Sequence, residues 1–151
     1  MSEKKRRVLS TMLICLCIAT VAFIWGNSML GSKASSNVSN SVLGALDPII
    51  RRFGIVSKDD LWLRKLAHFT EFAALGAELL FLAAVRRRLG LQAASNCAFA
   101  ALLAALTDET IQLVSGWNSQ VLDVLLDFSG ALTGILIARL ICRLIKKRRA
   151  S

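Results

Sequence analysis

The sequence is poor in acidic residues, since only ten of its 151 residues are Asp or Glu against 19 Lys or Arg. It has one histidine and one proline, and no internal repeat is visible. Its four cysteines, Cys15, Cys17, Cys97 and Cys142, lack the C-x-x-C spacing of a structural metal site. We expect them to be small, buried apolar residues. The H-E-x-x-H motif of zinc hydrolases is absent as well.

Long apolar runs are what the chain has in abundance, because 55% of its residues are hydrophobic. Residues 8–25, 61–85, 91–114 and 121–145 reach or approach the length of about 20 residues that a helix needs to cross a bilayer. They leave no room for a separate soluble domain. The sequence therefore predicts an all-α polytopic membrane protein, with four transmembrane helices in one membrane domain over residues 1–151.

The positive charge, +9 overall, is concentrated at the ends of the apolar runs, around residues 4–7, 86–88 and 143–149. This is the positive-inside pattern, which places both termini in the cytoplasm and the loop 26–60 outside. A nucleic-acid partner would need the charge along one face or stripe, so we expect none. The first span has a basic start, but its apolar run is longer than the ~7–15 residues of a signal peptide, which favours a retained helix.

The outer loop contains one apolar pattern between residues 42 and 53. The spacing of its apolar residues is that of one helical face, although Pro48 would begin or kink such a helix. Two interpretations stay open: an interfacial helix on the outer leaflet, or a loop packed over the helix ends.

Eight polar residues fall at a similar depth in three of the predicted spans. A carboxylate in hydrocarbon costs roughly 2.5–3.5 kcal/mol, so such residues must be paired, hydrated or used. With the topology above, all of them lie in the outer half of the membrane, and we predict that they form a ligand-binding pocket open to the outside. Snorkelling side chains or a purely structural network are the alternatives. The eight are Lys65, His68, Glu71, Asp108, Glu109, Gln112, Asp123 and Asp127.

The fourth span also carries a packing pattern. Asp123, Asp127, Gly130 and Gly134 lie within about 60° of one another on a helix with 100° per residue. Gly130 and Gly134 form a small-xxx-small pair that allows another helix to approach closely. The acids are therefore predicted to face the inside of the bundle.

Two further charged residues lie deeper in the spans. Glu78 is two turns below Glu71, and Arg139 is at a similar depth in the fourth span. Because unpaired charges there would be costly, we predict that Glu78 pairs with Arg139 or with Asn96.

Three separated motifs carry a family resemblance: LRKLAHFTEFAALG at 63–76, TDETIQ at 107–112 and QVLDVLLDFSGALTG at 120–134. They resemble the VanZ-like family of small bacterial membrane proteins over residues of about 60–140. The resemblance implies that the same eight polar residues matter. It also implies a place in the bacterial plasma membrane and a role in the cell envelope, since the named member is linked with resistance to teicoplanin. Trp117 stands where the family usually has an arginine, and it cannot clamp an anion with two hydrogen bonds.

Several functions are compatible with these residues. A non-catalytic protein in contact with membrane lipid would bind a glycopeptide or a lipid-linked cell-wall precursor. An intramembrane enzyme would use His68, Glu71 or Glu109 as acid or base. A proton-coupled transporter would need an oligomer, because four helices make a small conduit.

A divalent-metal site is a further alternative. His68 with Glu71, Glu109, Asp123 and Asp127 offers ligands that favour Mg²⁺ or Mn²⁺. Without a tight metal motif, however, the sequence predicts no metal or other cofactor.

Overall fold

The computed structural model describes residues 2–29, 60–115 and 121–148, and of residues 60–63 the backbone only. These parts form four α-helices: α1 (Glu3–Met29), α2 (Asp60–Val85), α3 (Leu91–Val114) and α4 (Val121–Arg148). Each is long and apolar enough to cross a membrane. The chain is therefore a multi-pass membrane protein with an all-α, four-helix architecture, and that prediction is confirmed. The patterns at residues 42–53 and Trp117 lie outside the described residues.

The helix ends show where the sequence pattern was too conservative. α1 begins after Ser2, whose Oγ accepts a hydrogen bond from the backbone N–H of Lys5 at 3.4 Å, as in an N-cap. It continues to Met29, beyond the predicted end at residue 25, and α4 runs to Arg148 instead of residue 145. Charged or polar residues thus extend two of the helices past their apolar cores.

The turn between α2 and α3 ends α2 in a Schellman motif. The N–H of Arg88 bonds to the carbonyl of Ala83 at 2.8 Å, and the N–H of Arg87 bonds to that of Ala84 at 2.9 Å. Arg87 has a φ of 61°, the left-handed conformation that glycine usually supplies. A basic residue therefore occupies a position where glycine would be less strained.

Helices α2 and α4 make the most extensive contact in the bundle. Three glycines bring the two backbones together, as the Gly130-x-x-x-Gly134 pattern predicts. A methyl group added at Gly130 would overlap the carbonyl of Phe69, and one at Gly134 would overlap that of Ala73. On the facing helix, Gly76 meets Ala131 in the same way, which sequence reasoning did not anticipate.

Many large apolar side chains lie on the outer surface of the bundle, as expected for helices surrounded by lipid. Phe72 and Ala101 are fully buried, whereas Met12 and Phe99 are more than half exposed. Cys17 and Cys97 are buried as predicted, and all four cysteines are free thiols. Cys15 is exposed, so the expectation of burial is wrong for it, because positions 15 and 17 face different sides of α1.

The start of α1 and the end of α2 lie at the same end of the bundle. Arg86, just beyond α2, donates from Nε to Ser10 Oγ near the start of α1 at 3.1 Å. That end carries the basic residues that begin α1 and follow α2. The opposite end holds the last turns of α1 and α3 and the first turns of α2 and α4, and the eight polar residues are found in this half.

Candidate functional site

Asp108 of α3 is the most buried acid of the polar half, with no exposed surface. Ser28, in the last turn of α1, donates from Oγ to Asp108 Oδ1 at 2.6 Å. Gln112, one turn further along α3, donates from Nε2 to Asp108 Oδ2 at 2.7 Å. Both carboxylate oxygens of Asp108 therefore have a donor, and the side chain is held in one orientation.

Two basic residues of α2 reach across to the neighbouring helices. Arg64 donates from Nη2 to Gln112 Oε1 on α3 at 2.8 Å. Lys65 donates from Nζ to Asp123 Oδ1 on α4 at 2.7 Å. The amide of Gln112 thus links Arg64 to Asp108 in a chain of hydrogen bonds. Lys65 and Asp123 form an ion pair whose side chains remain 40% and 25% exposed.

His68 lies between two carboxylates from different helices. Its Nδ1 is 3.6 Å from Asp108 Oδ2 on α3 and 3.9 Å from Asp127 Oδ1 on α4. Both separations are longer than a hydrogen bond, and within the described part of the chain neither His68 Nδ1 nor Asp127 Oδ1 has a hydrogen-bond partner. Asp127 is only 1% exposed. His68 Nδ1 and Asp127 Oδ1 thus lie near each other, and His68 Nδ1 lies near Asp108 Oδ2, without a direct hydrogen bond.

The two remaining residues of the predicted set, Glu109 and Glu71, lie close to Asp108 and His68. Glu109, beside Asp108 in the sequence, is 7% exposed. Glu71 is half-buried one turn beyond His68 and lies near Asn27 of α1. The eight residues therefore occupy one half of the bundle, while their predicted role in binding a ligand and the predicted opening stay predictions.

Glu78 does not form either of the contacts that the sequence suggested. Its Oε1 accepts a hydrogen bond from Thr20 Oγ1 of α1 at 3.0 Å. The side-chain oxygen of Asn96 accepts instead from Gln92 within α3, and Arg139 Nε has no hydrogen-bond partner within the described residues. The prediction was wrong because the rotation of α2 turns Glu78 toward α1, which a sequence pattern does not reveal.

An apolar groove of about 340 Å³ runs along α1, α2 and α3 below the polar residues. Leu75 and Leu79 line it from α2, and Ala100 and Ala104 line it from α3. At its upper end Trp25 donates from Nε1 to the carbonyl of Ala104 at 3.3 Å. Trp25 and Ala104 lie three and four residues before Ser28 and Asp108, so the groove ends within a turn of the buried hydrogen bond between these two.

Sequence reasoning missed two residues that contact this site. Ser28 was assigned to the loop, because α1 was expected to end at residue 25. Arg64 begins the Arg-Lys-x-x-His motif at 64–68, yet it was not included among the polar residues predicted to matter. The presence of Arg64 in that motif was the available signal, whereas nothing in the sequence distinguishes Ser28 from the polar loop residues that follow it.

The arrangement supports three kinds of chemistry. Arg64 and Lys65 offer fixed positive charge to an anionic head group. His68, within 4 Å of two carboxylates, has the surroundings of a general acid or base. The side chains of His68, Asp108 and Asp127 also each offer one ligand atom, all within 4.8 Å of one another, that could hold a metal ion.

The comparisons with known proteins agree with the motifs. No curated protein and no solved structure matches the chain. The family model described as VanZ/LLP1 matches residues 9–143, which include most of α1 and the motifs of the three other helices. Because the match extends over most of the chain, this membrane protein belongs to the VanZ/LLP1 family.

Proposed function

We propose that this protein lies in the bacterial plasma membrane and binds an amphiphilic molecule of the cell envelope, either a lipid-tailed glycopeptide such as teicoplanin or a lipid-linked cell-wall precursor. Its polar head group would lie at the polar half of the bundle, next to Arg64 and Lys65. Its hydrocarbon chain would lie in the groove beside Trp25. Through this binding the protein would lower the sensitivity of the cell to teicoplanin.

The observation that carries this proposal is the continuity of an apolar groove with a polar cluster. An amphiphile needs apolar contact for its chain and fixed hydrogen-bonding groups for its head. The groove of about 340 Å³ suits a segment of one hydrocarbon chain. Arg64 bonds to Gln112 and Lys65 to Asp123, so their charges are already oriented and little side-chain entropy remains to be lost on binding.

The test uses paired substitutions on α1. Ala22 lines the groove and Ala19, three residues earlier, does not, although both side chains are exposed on the helix. Expression of the chain in a glycopeptide-sensitive Gram-positive host should raise the minimal inhibitory concentration of teicoplanin. Ala22→Leu should abolish this increase and Ala19→Leu should preserve it, with equal amounts of protein in the membrane. An equal effect of both variants would contradict the proposed role of the groove.

The polar half has its own test in the same host. Lys65→Ala or Glu109→Ala should remove the effect on teicoplanin sensitivity without removing the protein from the membrane. If both variants protect the cell as well as the wild type, the head group does not bind at this end of the bundle.

Orientation follows from the positive-inside rule, with both termini in the cytoplasm and the polar half toward the outer leaflet. The basic residues at the start of α1 and after α2 support it, because Arg86 contacts Ser10 at a shared end. In a variant without native cysteines, a cysteine at Arg87 should be protected from an impermeant thiol reagent in intact cells and labelled after permeabilisation. Labelling in intact cells would contradict this orientation and favour the opposite one.

A second candidate function is catalysis on a lipid-linked envelope substrate. The supporting observation is His68 between the carboxylates of Asp108 and Asp127, with the hydroxyl of Ser28 bonded to the same Asp108. Purified protein incubated with lipid-linked precursors should then release a product visible by mass spectrometry, and His68→Gln should abolish it. No product from any precursor would leave binding as the function.

A further inference from the structure

The geometry points to a divalent transition-metal site formed by His68 of α2, Asp108 of α3 and Asp127 of α4, with Mn²⁺, Fe²⁺ or Zn²⁺ as the occupant. This inference deepens the proposed function, on which it rests for its biological role, by naming what lies at the centre of the polar half. The site differs from the set that the sequence suggested, because Asp108 takes the place of Glu71, Glu109 and Asp123.

The separations between the ligand atoms fit an ion better than they fit direct contact. Metal bonds to imidazole nitrogen and carboxylate oxygen are about 2.0–2.2 Å long, so two ligands at about 110–130° on one ion lie about 3.4–3.8 Å apart. His68 Nδ1 lies 3.6 Å from Asp108 Oδ2 and 3.9 Å from Asp127 Oδ1. Each of the three side chains also offers one ligand atom that lies within 4.8 Å of those of the other two. Only a small closing movement would bring them onto one ion.

The unpartnered atoms supply an independent reason. His68 Nδ1 and Asp127 Oδ1 are buried and have no hydrogen-bond partner among residues 2–29, 60–115 and 121–148, and the side chain of Asp127 is 2% exposed. A buried polar atom without a partner costs about 1–3 kcal/mol, more when it carries charge. One cation between the two atoms would satisfy both of them. It would also offset the repulsion between the carboxylates of Asp108 and Asp127.

The surroundings of Asp108 resemble the outer shell that metal ligands require. Ser28 Oγ bonds to one of its oxygens and Gln112 Nε2 to the other, so the carboxylate cannot rotate without breaking a hydrogen bond. Arg64 in turn fixes the amide of Gln112. Partners of this kind orient metal ligands and raise metal affinity. Gln112 is therefore a positioning residue for the site.

The donor set defines the class of metal. One imidazole nitrogen with two carboxylate oxygens suits Mn²⁺, Fe²⁺ and Zn²⁺, whereas Ca²⁺ and Mg²⁺ prefer oxygen alone. Two carboxylates neutralise a divalent ion, which lowers the cost of holding it inside a membrane protein. Three protein ligands leave at least one position for another oxygen ligand. A phosphate or carboxylate of the amphiphile's head group is a suitable fourth ligand.

The first experiment measures the metal content of the full-length protein. The protein is purified in detergent without chelator and analysed by inductively coupled plasma mass spectrometry. We expect about one equivalent of Mn, Fe or Zn per chain. Asp127→Asn should lower the content at least tenfold, because an amide is a poor ligand. Glu78→Gln is the matched control, since it makes the same acid-to-amide change on α2, where Glu78 bonds to Thr20 and not to the site, and it should leave the content unchanged. Equal loss in both variants would overturn the assignment.

The second measurement starts from the wild-type protein, so its main result does not depend on whether a variant folds. Chelator-treated wild-type protein is titrated with Mn²⁺, Zn²⁺ or Co²⁺, and its melting temperature and the visible absorption of Co²⁺ are followed. Saturable stabilisation with a Co²⁺ spectrum typical of nitrogen and oxygen ligands is the expected result. Gln112→Ala should weaken this binding by about 10–100-fold. No stabilisation by any of the three ions, together with metal-free purified protein, would overturn the proposal.

The two proposals can fail separately. Metal bound by the wild type and lost in Asp127→Asn, with no effect of the chain on teicoplanin sensitivity, would support the metal site and reject the envelope function. If the wild-type protein contains no metal but lowers teicoplanin sensitivity, and Ala22→Leu abolishes that effect, the envelope function would be supported and the metal site rejected.

Discussion

The packing of α4 on α2 offers the sharpest test of the fold, through the substitution Gly134→Ala. In an ordinary helix this change is favourable, since alanine exceeds glycine in helix propensity by about 1 kcal/mol. Here the added methyl group would overlap the carbonyl group of Ala73 on α2. A backbone group cannot turn away as a flexible side chain can, so the helices must separate.

The expected magnitude follows from these two opposing effects. Overpacking a close-fitting interior costs typically about 1–3 kcal/mol, and contact with backbone favours the upper half of that range. After subtraction of the gain in helix propensity, the expected net loss is about 1–2 kcal/mol. Gly26→Ala is the matched control, because a methyl group at Gly26 of α1 meets nothing within 4 Å. It should stabilise the protein by up to about 1 kcal/mol.

The assay is unfolding of the purified protein in mixed detergent micelles with a rising fraction of dodecyl sulfate, followed by tryptophan fluorescence. The two variants should shift the unfolding midpoint in opposite directions. If Gly134→Ala is as stable as Gly26→Ala, the close approach of α4 to α2 does not exist in the membrane protein, and the geometry of the site that depends on it is wrong.

Three further predictions use the same assay. Ser28→Ala removes a donor from the fully buried Asp108 and should cost about 1–3 kcal/mol; an unchanged midpoint would mean that this hydrogen bond is not formed. A double-mutant cycle on Lys65 and Asp123, whose side chains are 40% and 25% exposed, should give a coupling below about 1 kcal/mol, and a coupling several times larger would show that the pair is more buried than this. Arg87→Gly should stabilise the chain by about 1 kcal/mol, because the φ of 61° strains any residue with a side chain; destabilisation would contradict a left-handed residue there.

The sequence predicts the helices well because two strong signals coincide. Apolar length and the basic clusters bound each span, and the observed α3, Leu91–Val114, begins and ends at the predicted residues. The glycine contact is predictable too, since small residues at i and i+4 have few other uses on a membrane helix. The clustering of His68, Asp108 and Asp127 follows from depth and helical face together.

The individual contacts are not predictable, because they depend on which helices are neighbours and how each is rotated. Glu78 faces Thr20 of α1 and not Arg139 of α4, although both partners lie at a suitable depth. Ser28 joins the site only because α1 continues to Met29. The end of an apolar run does not show whether the polar residues that follow are still helical. For Ser28, the hydrogen bond to Asp108 across the bundle favours the helical conformation, and this contact cannot be seen in the sequence.

The close packing of α4 on α2 at Gly130 and the candidate metal site depend on each other. Gly130 lies three residues after Asp127, and it leaves no room for a methyl group beside the carbonyl of Phe69, the residue that follows His68. The approach at this glycine therefore sets the distance between His68 and Asp127. Gly76 makes a comparable contact with Ala131, but it lies eight residues beyond His68, about 12 Å along the helix.

Gly130→Ala should consequently weaken metal binding by about tenfold or more, the effect typical of displaced outer-shell support, without changing any ligand. Gly76→Ala should lower stability by a similar amount and leave the affinity for Co²⁺ nearly unchanged. Both variants are titrated with Co²⁺ at a temperature well below their melting points, so that unfolding does not contribute to the affinity. Equal affinities in the two variants would show that the spacing of His68 and Asp127 is set by something other than the glycine contact beside them.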